Sequence, residues 1–67
     1  MDWIRRTYGV PANRGGRVQL GRGFGSLLGG RAGTITSADG QYLRIRVDGI
    51  PGRPLRFHPT WELTYGT

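Results

Sequence analysis

The chain is predicted to be all-β, a small five-stranded barrel, on three observations. Residues 42–48 alternate strictly, with Leu43, Ile45 and Val47 on one side and Tyr42, Arg44, Arg46 and Asp48 on the other, the period-two pattern of a strand with one face buried. Gly30 to Gly49 reads as two strands joined at Ala38-Asp39-Gly40, because Asp tolerates turn geometry and Gly supplies positive φ. Three further short alternations, at Arg17–Leu20, Leu55–Phe57 and Leu63–Tyr65, are separated by glycine- and proline-bearing segments.

Taken in order, residues 1–16 are expected to form an arm with at most one helical turn. Trp3, Ile4, Tyr8 and Val10 are scattered there, and Pro11 and Gly15-Gly16 interrupt any period. Trp3 and Tyr8 are expected to lie across an open end or edge of the sheet, burying apolar area at about 25 cal/mol per Å² and shielding the edge from pairing. Arg17–Leu20 is the first strand, with Val18 and Leu20 inward. Gly21 to Gly30, with five glycines in ten residues, reads as a mobile loop whose Leu27-Leu28 pair folds back onto the barrel. Ala32 to Ser37 is the second strand, with Ile35 inward and Thr34 and Thr36 outward. After the turn, Tyr42 to Asp48 is the third. Gly49 to Pro54 is a loop stiffened by two prolines, and Leu55–Phe57 is the fourth strand. His58-Pro59-Thr60-Trp61-Glu62 reads as a single 3₁₀ turn with Thr60 as a cap, before Leu63–Tyr65 ends the fold. Residues 17–67 thus form the barrel and 1–16 pack on it. Five short strands, one long early loop and one helical turn before the last strand are the pattern of an SH3-like barrel.

A chain of 67 residues holds one domain with a modest core, and catalytic clefts are hard to build at that size. Without cysteine there is neither a disulfide nor a thiolate metal site. Ten basic residues against four acidic ones leave a net charge of +6, a field that favours polyanions or acidic protein surfaces. All ten are arginine, whose planar fork suits phosphate and carboxylate. A GC-rich genome writes the same bias, so weight falls on the charge and not on the choice of residue. Met1 to Arg6 lacks a secretory apolar run and no stretch approaches the ~20 apolar residues of a membrane span. The expectation is a soluble, cytoplasmic monomer.

Arg17-Val18, then Gly33-Thr34-Ile35-Thr36, then Leu43-Arg44-Ile45-Arg46-Val47 together resemble the KOW motif. That motif occurs in SH3-like barrels of ribosomal proteins and of bacterial transcription elongation and antitermination factors. The resemblance covers about half the chain and implies a fixed glycine, here Gly33, where the second strand begins. The loop between Val18 and Gly33 is longer than the motif's usual one, and its usual lysines are absent. Over its whole length the chain also resembles small uncharacterised proteins of bacteria and their prophages, through Arg5-Arg6-Thr7-Tyr8 and His58-Pro59-Thr60-Trp61. This second resemblance implies a bacterial or phage-infected host cell and no particular activity.

The candidate nucleic-acid-binding face is Tyr42, Arg44 and Arg46, where guanidinium groups would meet phosphates while a ring stacks on a base. Arg17, Arg22, Arg31 and Arg56 extend it. The competing reading is a solvated outer face, with Asp48 partnering one arginine at little gain, and with it a protein-interaction or structural module of a phage or prophage. Gly25 to Ala32 is not a phosphate-binding P-loop, since Arg31 stands where lysine is needed and Ala32 where a hydroxyl must hold magnesium. Arg14-Gly15-Gly16 is a single copy and reads as a turn. His58, the one histidine, has no cysteine or acidic cluster beside it to assemble a metal site. Neither Ser26 nor Ser37 has a base and acid to make it a nucleophile. No cofactor, metal or enzymatic activity is therefore expected. Trp61 is assigned to core or barrel closure, although Trp3, Tyr8, Trp61 and Tyr65 would form a cage for a cation or proline-rich peptide if several met in space.

Overall fold

Five antiparallel strands form a single sheet in the computed structural model, which describes residues 1–66. They are β1 (Arg17–Leu20), β2 (Ala32–Asp39), β3 (Tyr42–Val47), β4 (Leu55–Phe57) and β5 (Leu63–Tyr65), laid side by side in the order β4-β3-β2-β1-β5. β4 and β5 are the two edges, so the sheet is open. The strand positions follow from hydrophobic alternation. Val18 and Leu20 of β1, Ile35 of β2, Leu43, Ile45 and Val47 of β3 and Phe57 of β4 all point to one side and are buried, joined by Ile4 and Ala12 from the N-terminal segment. No charged or polar side chain is buried among the described residues, so the core is wholly apolar, as a domain without disulfides requires.

Gly33 is fixed by how closely β2 and β3 approach. A Cβ there would stand 2.7 Å from Ile45 Cγ2 and 2.9 Å from the Arg46 carbonyl oxygen, too near for any side chain. Two residues on, the ladder is irregular. Ile35 pairs with Ile45 but Ser37 pairs with Arg44, leaving Thr36 as an extra residue, a β-bulge. Its hydroxyl donates to the Arg44 carbonyl at 3.1 Å. Beyond it Asp39 pairs with Tyr42. Strict alternation from Ile35 would turn Asp39 toward the core; the bulge shifts the phase by one and sets it on the outer face with Tyr42 and Arg44.

The N-terminal segment is more ordered than an arm with a single turn. α1 spans Asp2–Tyr8. Asp2 in its first turn complements the helix dipole and pairs with Arg5 (2.8 Å) and Arg6 (3.4 Å) one turn on. Gly9 closes it in the left-handed conformation (φ 64°, ψ 31°), its N–H donating to the Arg5 carbonyl, with Pro11 just beyond, a common way for a helix to stop. Ile4 enters the core, Tyr8 packs against it, and Trp3 stays 56% exposed. Burial here comes from Ile4 and Ala12, not from Trp3.

Gly21 to Gly30 is likewise structured. A 3₁₀ turn at Arg22–Phe24 runs into the one-turn α2 (Gly25–Leu28). Phe24 stacks edge-on against Phe57 at 5.1 Å. Of the two leucines, Leu28 packs against the core and Leu27 projects outward, 65% exposed. Gly21 is constrained by a neighbour, since a Cβ there would stand 2.8 Å from Glu62 Cβ and 3.0 Å from the Glu62 carbonyl oxygen. Residues 58–61 make a turn closed by the Trp61 N–H on the His58 carbonyl at 3.0 Å, while the chain's 3₁₀ segment lies at Arg22–Phe24 instead. Pro59 in that turn is fully buried, and β5 follows, held in place by the Tyr65 hydroxyl donating to the Pro59 carbonyl at 2.6 Å.

Candidate nucleic-acid interface

Because Leu43, Ile45 and Val47 face inward, Tyr42, Arg44 and Arg46 must face outward, and the neighbouring strands extend this face. Arg44 lies opposite Arg56 of β4, Arg46 opposite Thr34 of β2, and Thr34 in turn opposite Arg17 of β1. Four of the expected arginines, Arg17, Arg44, Arg46 and Arg56, therefore share one sheet face with Tyr42.

Their electrostatic states differ along the face. At one end Arg17 grips Asp48 with both nitrogens, Nη1 on Oδ1 at 3.2 Å and Nη2 on Oδ2 at 2.6 Å, and also donates to the Thr34 hydroxyl at 2.7 Å. The hydrogen bonds from Arg17, with its charge, hold the Asp48 carboxyl below the usual range, and the same contact raises Arg17. Arg31 donates to the Leu27 carbonyl at 2.6 Å and the Asp48 carbonyl at 3.2 Å, and Arg46 to the Gly52 carbonyl at 2.9 Å. At the other end Asp39 serves two arginines, Arg44 at 3.1 Å and Arg56 at 3.5 Å. One carboxylate offsets only one of those two charges, and the Arg56 guanidinium lies 5.2 Å from the centre of the Tyr42 ring, within cation–π range. Arg22 stands apart. It opens the turn that packs Phe24 on Phe57 at the core side of the sheet and makes no side-chain hydrogen bond among the described residues.

Tyr42 leads to a cluster that alternation along the chain does not reveal. The rings of Trp3, Tyr8, Tyr42, His58 and Trp61 form a connected set. Trp3 meets Tyr8 at 5.9 Å, Tyr8 meets His58 at 4.8 Å, His58 meets Trp61 at 5.8 Å, and Tyr42 meets His58 and Trp61 at 5.9 and 6.3 Å. Most of these pairs are edge-to-face, the preferred arrangement for aromatic rings. The His58 ring is fixed from below, its Nδ1 accepting the Thr60 backbone N–H at 3.3 Å with the Thr60 hydroxyl 2.9 Å away. Trp61 is 51% exposed, so it caps the surface rather than closing the core. The turn at residues 58–61 aims it outward because Pro59 takes the buried place.

Trp3, Tyr8 and Trp61, raised from the sequence only on condition that they met in space, do join one cluster. Among the described residues Tyr65 is in none of its ring pairs, and His58 is the member that reading along the chain misses. A partial signal exists: Ile4 and Tyr8 are four apart and Asp2 is three and four from Arg5 and Arg6, the spacings of a helix whose buried stripe excludes Trp3. Nothing local announces that this helix lies against the turn after β4. Among the described residues no group of three or more His, Asp or Glu could hold a metal ion, and no helix is long and apolar enough to cross a membrane.

The chain matches no family model, no curated protein and no solved structure.

Proposed function

We propose that this chain is a small non-enzymatic binding module that takes nucleic acid, alone or within a ribonucleoprotein, on the outer face of β3 and β4. One observation carries the reading: Arg44, Arg46 and Arg56 stand side by side with Tyr42 on one sheet face, and among the described residues only Asp39 offsets the Arg44–Arg56 pair. Guanidinium groups in that arrangement can donate to successive phosphates with N–H groups left over from their internal hydrogen bonds. The net charge of +6 supplies the long-range attraction. Arg17 and Arg31, tied to Asp48, contribute to the field more than to direct phosphate binding.

The strand order, with β1 flanked by β2 and β5 and a turn before β5, supports reading the sheet as a strongly curled SH3-like barrel, and Gly33 at the start of β2 supports the KOW resemblance. With these goes a monomer in the cytoplasm of a bacterium or phage-infected cell. The test is an NMR titration with short single- and double-stranded oligonucleotides at two salt concentrations. Amide shifts should gather on residues 42–46 and 55–58, and affinity should fall steeply with salt. Salt-independent binding, or none at low salt, would leave the alternative reading as a protein-interaction module of a phage or prophage. Among the described residues β4 and β5 are unpaired sheet edges, and these favour that alternative.

A further inference from the structure

Resting on that reading, we infer that the aromatic cluster Trp3, Tyr8, Tyr42, His58 and Trp61 is a stacking platform for unpaired bases, and that the ligand is single-stranded. In a duplex the base faces are covered by their neighbours, and a surface ring can reach only phosphates, sugars and groove edges. A single strand offers open faces that stack on any exposed aromatic.

Three features fit the single strand. The two tryptophans of the chain stand at opposite ends of the cluster: Trp3 meets only Tyr8, and Trp61 meets Tyr42 and His58. Each indole is more than half exposed, 56% and 51%, although burying them would stabilise so small a domain. Trp3 packs edge-to-face on Tyr8, and Trp61 lies edge-to-face with Tyr42 and tilted against His58, contacts that restrict the indoles before a base arrives. Next, cations adjoin the platform. Arg56 lies over Tyr42 and Arg44 is linked to it through Asp39, so phosphates of a strand with a base on Trp61 fall beside guanidinium groups. Finally, Asp39, the one acidic side chain paired at this end of the sheet face among the described residues, is engaged by both arginines, which blunts its repulsion of a polyanion. An apolar peptide would use the rings but gain nothing from Arg44 and Arg56.

Because both tryptophans belong to the platform, their emission reports on it. The full chain is titrated with an oligothymidylate of about twelve nucleotides, within the range that small binding domains cover, and with a duplex of equal length, at about 50 and about 200 mM salt. The single strand should bind at least about tenfold tighter than the duplex and quench the emission. Trp61→Ala should weaken single-strand binding by about tenfold, with the loss of one stacked base, and Trp61→Phe should restore most of it. Both substitutions change a half-exposed side chain, and a thermal melt confirms that each variant is folded. Equal or tighter duplex binding, or Trp61→Ala without effect while Arg44→Ala with Arg46→Ala weakens binding, would overturn the platform and leave the arginine face standing. Absence of binding to either probe at low salt would overturn both. Quenching by a proline-rich peptide and by neither oligonucleotide would overturn both as well and reassign the cluster to a protein partner.

Discussion

The two ends of the outer sheet face are built from the same residue types and arrive at opposite states. At the β1 end, Arg17 has a carboxylate to itself and Arg31 donates to two backbone carbonyls. At the hairpin end, two arginines divide one carboxylate and one of them rests on a tyrosine ring. The difference teaches that the number of arginines on a strand face does not measure its capacity to bind. A guanidinium held bidentate by its own acid must give up that pairing to take a phosphate. One that shares its acid gives up less.

The largest expected effect removes the comparison altogether. Gly33→Ala would drive a Cβ into Ile45 and the Arg46 carbonyl, forcing β2 and β3 apart at a cost of about 1–3 kcal/mol. Urea or thermal denaturation should register it, and the outer face should lose its arrangement at both ends. A variant as stable as the parent would mean that the close approach of the two strands is not a constraint.

A sharper test keeps the fold and sets one end against the other. Arg44→Ala with Arg56→Ala should weaken binding of a single strand strongly and lower the salt slope by about 1.4, roughly 0.7 for each phosphate that is no longer neutralised. Arg17→Ala should leave the slope nearly unchanged. Equal effects from the two ends, measured by salt-dependent titration, would show that only net charge matters.

The smallest effects are those of pH. Burial pushes the Tyr65 hydroxyl up to about 12 from its ordinary 10, so the folded state favours the neutral phenol, which also donates to Pro59. The stability from this group is complete below about pH 10 and lost as pH rises from there toward 12. Tyr65→Phe should flatten that alkaline decline in a series of thermal melts. The sign is opposite for Asp48, whose carboxyl is held low by Arg17. Its contribution is present above the ordinary carboxylate range and disappears as acid protonates it. Asp48→Asn should remove this small acid-side loss, which is slight because both partners are solvent-exposed.

The contrast between the two ends also marks how far local sequence reaches. Val18, Leu20, Ile35, Leu43, Ile45 and Val47 are assignable to the core because alternation in a strand is a local property, and each of them is buried. The same alternation puts Tyr42, Arg44 and Arg46 outward. The N-terminal segment is harder to read. Its helix depends on a capping glycine and on Asp2 meeting arginines one turn away, and only one core residue, Ile4, projects from it. The glycine-rich segment looks mobile by composition, yet Gly21 donates its N–H to the Glu62 carbonyl and approaches that backbone closely, some forty residues on.

The amino-acid order alone determined where the five strands lie, their inward faces and a basic outer face, since each rests on interactions between near neighbours or on charge. The hairpin turn, expected at Ala38-Asp39-Gly40, falls instead at Gly40-Gln41, because Ala38 and Asp39 extend β2 by pairing with Leu43 and Tyr42. Tertiary structure decided what that face can do. The bulge at Thr36 turned Asp39 outward to stand between Arg44 and Arg56, and the packing of α1 against the turn after β4 joined Trp3 and Tyr8, through His58, to Trp61 and Tyr42. Those residues lie up to 58 positions apart, and nothing local couples them. Only burial of Ile4, Phe57 and Pro59 in a common core brings their neighbours to one surface.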